Sequence, residues 1–550
     1  MKRLLFLFLT AVAATVFGMT FVPAAASDDG FVDIFDGKTL DGWDGNKAIW
    51  SVEDGCITGT TGDSGDNHLT YNQFLIWRAG TVDDFVLEFD IKLSKEGNSG
   101  MQYRSWEDPD TSKPFRVYGY QADFDGAATY SGIVYGENFG GILAERGTEV
   151  VLGAGRKPVG VKRFAQDETL KKTVKIEDWN HYQVTAQGYH IEQKINGILF
   201  SDLTDNDKET RRRDGILAIQ VHAGPPMKVQ VKNIKLKRLP MKDKKKIVFI
   251  GGPRSHGYGL HTHTASFKLM ADWLNEYVPG TYSVVYTGGW PKDPTAIDNA
   301  DCIVVFSDGG GGNIMIPHIE ALKKRLAQGA GLAVIHYALE MPDQKTGQFL
   351  LDAIGGFFEQ NFTVTKWFDA KCSLVGHHPI LNGIKPFEIE DEWYFNIRFR
   401  PEMKGKMSPD GIAEHVIIPP GAKTSRLTPL VSCVPPDDTR QGADETHGGN
   451  PTVRKELGKT EYLAWCDTRP DGGRGFGFTG GHSHWLWGNP DYRKLLLNGI
   501  VWTAGVDVPN DGVDVPTPSW ETLEKNQEFE PNLSPEQIQQ WQERISNWNK

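Results

Sequence analysis

The run KKIVFIGGPRSHGYGLHTH, residues 245–263, marks where this chain changes architecture. It opens with a continuous apolar stretch, passes Gly251, Gly252 and Pro253, and then delivers His256, His261 and His263. An unbroken apolar run suits a strand buried on both faces, as in a parallel sheet. Three more follow: YSVVY (282–286), CIVVF (302–306) and LAVIH (332–336). Helical patterns lie between them. FKLMADWLNEYV (267–278) puts Phe267, Met270, Ala271, Leu274 and Val278 on one face, and IPHIEALKKRLAQG (316–329) starts with proline and ends in glycine. Alternating strand and helix predicts an α/β domain with a doubly wound parallel sheet over 247–505, closing with the helix in PDYRKLLLNGIVWTAG (490–505).

Upstream the period is different. DFVLEFDIKL (84–93) alternates apolar and polar residues, as a half-buried strand does. NHYQVTAQGYHIEQKINGILFSD (180–202) reads as three strands with Asn-Gly at one hairpin turn. DGILAIQVH (214–222) and KVQVKNIKLKRL (228–239) continue the pattern. Short strands at this spacing predict an all-β, two-sheet antiparallel sandwich of jelly-roll type over 31–239. PMKDKKK (240–246) is the expected linker. A Pro- and Asp-rich tail, 506–550, ends in the capped helix SPEQIQQWQERISNW.

A length of 550 residues suits more than one domain, and a net charge of −12 argues against nucleic-acid binding. Residues 1–26 read as an export signal: Lys2 and Arg3, an apolar core, then AAAS with cleavage after Ala26. The expected location is periplasmic or extracellular, with no membrane-spanning segment beyond the signal; a membrane anchor is the alternative. Five cysteines without a C-x-x-C spacing are expected to be mostly buried apolar residues, with Cys433 and Cys466 the pair worth testing.

Ligands of open α/β sheets bind at the carboxyl ends of the strands. Those ends carry His256, Asp308, His336, His482 and His484 beside glycines, and 11 of the 15 histidines lie in this domain. His256, His336 and His482 are therefore expected to face one crevice. His256, His261 and His263 are the candidate ligands of a divalent metal, because neutral imidazoles near a carboxylate can build a zinc-type site. Asp391 and Glu392 are adjacent on a strand and point to opposite faces, so at most one serves the crevice. His318, His377, His415 and His447 read as ordinary loop histidines, and the DGGGG turn (308–312) as room for a tight crossing.

In the second half, SHGYGLHTH, GAGLAVIH, HHPILNGIKPFEIEDEWY and RPDGGRGFGFTGGHSHW occur in order over about 245–505. Together they resemble the ThuA-like (trehalose utilisation) family. The resemblance implies a class I glutamine amidotransferase-like fold and action on oxidised disaccharides such as 3-keto sugars. By motif position it assigns catalytic roles to His256, His336, Glu392 and His482, with Asp308 and His484 at the substrate. His336 stands where amidotransferases carry a nucleophilic cysteine, which argues against that activity. Thr262 stands where an acidic residue is expected between the paired histidines.

In the first half, FVDIFDGKTLDGWDG, NSGMQYRS, YGYQADFDG, SGIVYGE and the strands after them resemble the 3-keto-disaccharide hydrolase (3-keto-glucoside lyase/hydratase) domain family, a concanavalin-like jelly roll. That implies C1–O cleavage of 3-keto-glycosides. A C3 ketone acidifies the C2 proton, so a base can start β-elimination and water can add back. Candidates are Arg104 for the enolate oxygen, Asp123 or His222 as base, and Tyr135 or Glu137 as acid. Gln121 stands where relatives often carry glutamate. Gln220, Tyr103, Trp106 and Tyr120 are expected at the sugar. The implied substrate is an oligosaccharide or 3-keto sugar, supplied by a sugar-oxidising dehydrogenase. The alternatives are a carbohydrate-binding sandwich that delivers sugar to a catalytic second domain, and a non-catalytic surface binding protein. Oligomeric state is left open.

Overall fold

The computed structural model describes residues 30–400 and 426–550; the expected export signal and His415 lie outside them. Phe85, Leu87, Phe89, Ile91 and Leu93 alternate with less buried residues along Phe85–Leu93 and face the core. This strand pairs antiparallel with Asn180–Gln187 and Lys228–Arg238 in a ten-stranded sheet. A seven-stranded sheet packs against it, with Asn98–Glu107, Val117–Asp125 and Ile216–Val221 near its middle. The sandwich departs from pure antiparallel pairing once, where Thr148–Leu152 runs parallel to Ile198–Asp205.

The second domain is built on a nine-stranded sheet. Five strands, Thr281–Tyr286, Lys245–Gly251, Cys302–Phe306, Gly331–Ile335 and Arg474–Phe478, are parallel neighbours. The other four, Glu461–Thr468, Arg426–Cys433, Val364–Leu374 and Phe387–Phe395, extend it antiparallel. The expected parallel sheet is thus one half of a mixed sheet. The outer added strands differ physically: Val364–Leu374 exposes alternate residues, which a strand covered on both faces does not, whereas Glu461–Thr468 beside the parallel half is buried along its length.

All five cysteines are buried, and no disulfide joins them. Cys433 lies opposite Glu461 and Cys466 opposite Thr428, so the two thiols occupy different rungs of the ladder. In the tail, Ser534 caps the helix Pro535–Trp548 through a capping box. Ile545 of that helix is buried against the second domain, with Ile538, Trp541 and Trp548 packed beside it. Among the described residues no helix is long and apolar enough to cross a membrane.

The expected linker is shorter than 240–246, because Lys245 and Lys246 already belong to the first strand of the second domain. Lys246 is buried, with Nζ 2.5 Å from Asp83 Oδ2 of the sandwich. Asn299 Nδ2 donates to Asp83 Oδ1 at 3.1 Å, and Arg238 reaches both Asp83 (3.4 Å) and Asp293 (2.6 Å). Burial pushes the Asp83 carboxyl up, but the Lys246 and Arg238 cations outweigh it and hold it well below the usual range. Removing one partner of a buried ion pair strands the others. Asp83→Ala is therefore expected to destabilise the protein by about 3–5 kcal/mol. Asp44→Ala, which removes a surface partner of Arg78, should cost no more than about 1 kcal/mol. Urea unfolding of both variants tests this, and equal losses would refute the role given to Asp83.

Candidate functional site

Two polar clusters stand out, one in each domain. In the sandwich, Gln121 and Asp123 alternate with core residues along Val117–Asp125 and share one face of the strand. They line a cavity of about 360 Å³ with Tyr135, Glu137, Gln220 and His222, and with Asn72 and Asn98, which sequence reasoning missed. The size suits a small-molecule site.

The polar groups form a chain. Ser105 Oγ donates to Gln102 Oε1 at 2.6 Å, and Gln102 Nε2 donates to Gln121 Oε1 at 2.9 Å. This orients the Gln121 amide, whose Nε2 donates to Asp123 Oδ1 at 2.6 Å and to Gln220 Oε1 at 3.3 Å. Gln220 Nε2 then donates to Glu137 Oε2 at 3.4 Å, and Asn72 Nδ2 donates to Glu137 Oε1 at 3.3 Å. Gly100 makes room for this network: a Cβ there would lie 2.7 Å from both Ala122 O and the Gln121 side chain. Burial, reinforced by Asp125 and Glu137, pushes the Asp123 carboxyl up to about 8 against the Gln121 hydrogen bond. Burial also raises Glu137, opposed by Asn72 and His222. His222 Nδ1 lies 2.7 Å from Ala223 O, so an N–H there leaves Nε2 an acceptor.

Four sandwich candidates lie away from the cavity. Arg104 is fully buried against the seam, with Nη2 3.0 Å from Asp84 Oδ1 and Nε donating to the Asp83 carbonyl at 2.8 Å. It is held where no enolate can reach it. Tyr103 and Tyr120 point into the core between the sheets, bonded to Gln193 and Asp205. Trp106 packs on Phe139, beneath Arg212.

The second cluster sits at the carboxyl ends of the parallel strands. His336 directly follows Gly331–Ile335, and His482 follows Arg474–Phe478 by four residues. Glu392 comes from Phe387–Phe395, opposite Trp367. His261 precedes the helix His263–Tyr277, and its backbone N–H donates to the His482 carbonyl at 2.9 Å. The ligand-type atoms of His261, His336, Glu392 and His482 all lie within 4.8 Å of one another. His336 and His482 fall where the strand ends predict. His261 takes the place expected of His256.

His256 stacks on His261 at 3.6 Å between ring centroids and is partly exposed beside Asp308. His263 turns away, with Nδ1 2.9 Å from Pro253 O. His484 is buried on the helix side, bonded to Thr262 and Ser266. Asp391 faces away from Glu392, as alternation requires, and accepts Tyr492 Oη (2.5 Å) and Gly481 N (2.9 Å), which fixes the turn before His482. The first glycine of the 308–312 turn relieves a crossing, since a Cβ on Gly309 would lie 2.4 Å from Tyr337 O. Burial, with the neighbouring imidazoles, pushes His261 far below the ordinary histidine range, so it is neutral. Glu392 is raised by burial but lowered more by His336 and His482, and it is a carboxylate. Sequence reasoning missed Trp367, half-exposed with its ring 4.8 Å from His482, and gave no role to Tyr394, whose hydroxyl is 3.0 Å from His336 Nε2.

Residues 30–237 match the family model described as 3-keto-alpha-glucoside-1,2-lyase-like domain, and residues 292–503 the one described as trehalose utilisation. The second match starts after His261. The 3-keto-disaccharide hydrolase of Bacteroides thetaiotaomicron is 39% identical over 84 residues, which is 14% of this chain and 29% of that protein. Among solved structures, a candidate glycosyl hydrolase from Parabacteroides distasonis is 22% identical, covering 38% of this chain and 94% of its own, with a TM-score of 0.26. A ThuA-like protein from Bacteroides uniformis is 14% identical, covering 48% and 93%, with a TM-score of 0.31. The two halves of the chain thus match two different family models, the first that of the 3-keto-alpha-glucoside-1,2-lyase-like domain and the second that of trehalose utilisation.

Proposed function

We propose that this carbohydrate-related protein cleaves the C1–O bond of 3-keto-glycosides in the sandwich cavity, after export. The carrying observation is Asp123, a buried carboxyl held neutral to about pH 8 and wired through Gln121 and Gln220 to a second carboxyl, Glu137. Ordinary glycosidases act at C1 with two carboxyls at a fixed separation. A 3-keto substrate opens another route. The Asp123 carboxylate takes the C2 proton, and the C–H electron pair moves into an enolate on the C3 oxygen. Side-chain amide N–H groups such as that of Asn72 are the donors at hand for that charge. As the enolate collapses, the C1–O bond breaks and Glu137 gives its proton to the leaving oxygen. Water then adds across the C1–C2 double bond: the Glu137 carboxylate takes one of its protons back, its hydroxyl goes to C1, and Asp123 returns its proton to C2. The net change is hydrolysis.

Gln121 in place of a glutamate fits this division of labour. A glutamate there would set two carboxyls about where Gln121 Nε2 now meets Asp123 at 2.6 Å, and they would share one proton. The amide leaves Asp123 as the one basic group at that point. The binding-module alternative is less well served, since Tyr103 and Tyr120 are spent on the core rather than displayed to a sugar. The substrate's ketone must come from a reaction that oxidises the C3 hydroxyl of a glycoside.

Asp123→Asn is expected to lower cleavage of a 3-keto-disaccharide by about 10²–10⁴-fold, the usual contribution of a general base. An unchanged rate would sink the proposal. For the wild type, kcat/KM should be bell-shaped in pH, because the active form holds one proton between Asp123 and Glu137: it should fall above about 8, where that proton is lost, and fall again in acid, where both carboxyls are protonated. The same group acts on stability. Its folded pKa of about 8 lies above the ordinary aspartate value of 3.8, so the folded state holds a proton that the unfolded state has lost between those values. Stability contributed by Asp123 is therefore full below about pH 4 and falls as pH rises to about 8. Thermal melts should show Asp123→Asn gaining on the wild type between pH 5 and 8.5. No gain would mean that the carboxyl is not buried as described.

A further inference from the structure

We propose that His261, His336, His482 and Glu392 bind one first-row divalent transition-metal ion. The site lies apart from the sandwich and its chemistry, and four ligand-type side chains meet in it. His261 Nε2 lies 2.9 Å from His482 Nδ1 and 3.1 Å from His336 Nε2. His336 Nε2 and His482 Nδ1 are 3.3 Å apart. Glu392 Oε2 lies 3.0 Å from His482 Nδ1 and 3.6 Å from His336 Nε2. A tetrahedron with metal–ligand bonds of about 2.0–2.1 Å has edges of about 3.3 Å. The observed spacings bracket that value.

The protons make the same case. His336 Nδ1 is 2.8 Å from the Thr479 carbonyl, which can only accept, so the ring carries its proton there and Nε2 bears a lone pair. His261 Nδ1 is 3.2 Å from Asp308 Oδ1, which fixes that ring the same way. The two Nε2 atoms thus face each other, lone pair to lone pair. A proton on His482 Nδ1 can reach the His261 lone pair and the Tyr394 hydroxyl the His336 lone pair, but neither serves both rings and Glu392 at once, as a cation between them would. The outer hydrogen bonds to Thr479 and Asp308 are those that orient metal-bound imidazoles.

The backbone supports the assignment. His261 and His336 adopt left-handed φ values of 44° and 52°, as does the stacked His256 at 63°. Such a residue is strained and persists where the surroundings enforce it. Three non-glycine residues strained in one crevice mark it as a site built at the expense of stability. The donor set selects the ion. Three imidazoles and one carboxylate, without a thiolate, suit zinc, cobalt, nickel, iron or manganese rather than calcium or copper(I). The quartet is largely buried, while Trp367, His256 and Asp308 beside it reach solvent. An ion with a fifth position would take an oxygen ligand from that side.

The test uses the full-length chain, stripped with a chelator, dialysed, and titrated with Co²⁺ and separately with Zn²⁺. The expected result is one equivalent bound per chain, a visible Co²⁺ absorption band typical of nitrogen and oxygen donors, and a raised melting temperature. His482→Asn and Glu392→Gln, conservative in shape, should each weaken binding at least 10-fold. His318→Ala, which removes a ring stacked on Trp290, should not. Far-UV circular dichroism confirms that each variant is folded. Wild type that binds less than a tenth of an equivalent overturns the proposal without reference to any variant. So does stoichiometric binding that survives both His482→Asn and Glu392→Gln, and the cluster is then a proton-sharing network only.

Discussion

A buried carboxylate, Asp83, holds the two domains in register. Its partners come from separate parts of the fold: Arg238 from the last sandwich strand, Lys246 from the first strand of the α/β sheet, and Asn299 from the segment before Cys302. None can leave without exposing the others to an apolar interior. The next residue, Asp84, extends the network to Arg104 and Arg213. Arg104 is held in a left-handed conformation inside its strand, at a bulge between Tyr103 and Trp106. That bulge places Ser105 on Gln102, Gln102 on Gln121, and Gln121 on Asp123. The seam and the cavity are therefore one continuous hydrogen-bonded structure.

The two clusters meet the same difficulty in opposite ways. A titratable group out of water must be neutral or paired. In the sandwich, Asp123 stays neutral by keeping its proton. In the second domain, His261 stays neutral by shedding one. The first leaves a carboxylate one proton away from its resting form, and the second leaves a neutral ring with a free lone pair. The neighbouring amides and carbonyls decide which lone pairs face inward.

Much of this was legible in the sequence, for identifiable reasons. Period-two burial along Phe85–Leu93 and unbroken apolar runs such as Cys302–Phe306 are direct consequences of how many faces a strand buries. Strand-end logic located His336 and His482, and alternation separated Asp391 from Glu392. What failed was anything decided by contacts distant in the chain. His256 and His261 sit in the same loop, and the choice between them follows from a backbone bond between His261 and His482. Arg104 looks catalytic in its motif because nothing nearby reveals that Asp84 will meet it. Trp367 gave no signal, since an exposed tryptophan on an alternating strand reads as surface.

The tail has a consequence for timing. Glu524, Gln527 and Glu528 bond Tyr258, Gly259 and Thr264, so the histidine loop is strapped down by residues made 264–268 positions later. At a synthesis rate of about 5–20 residues per second, roughly 13–50 s separate the loop from its strap. His482 itself follows His261 by 221 residues. The nascent chain thus presents His256, His261 and His263 as a short, unstrained peptide long before the crevice exists. The left-handed turns can be imposed only once the later segments are in place, so the quartet closes on its last segments rather than growing outward from its first histidine.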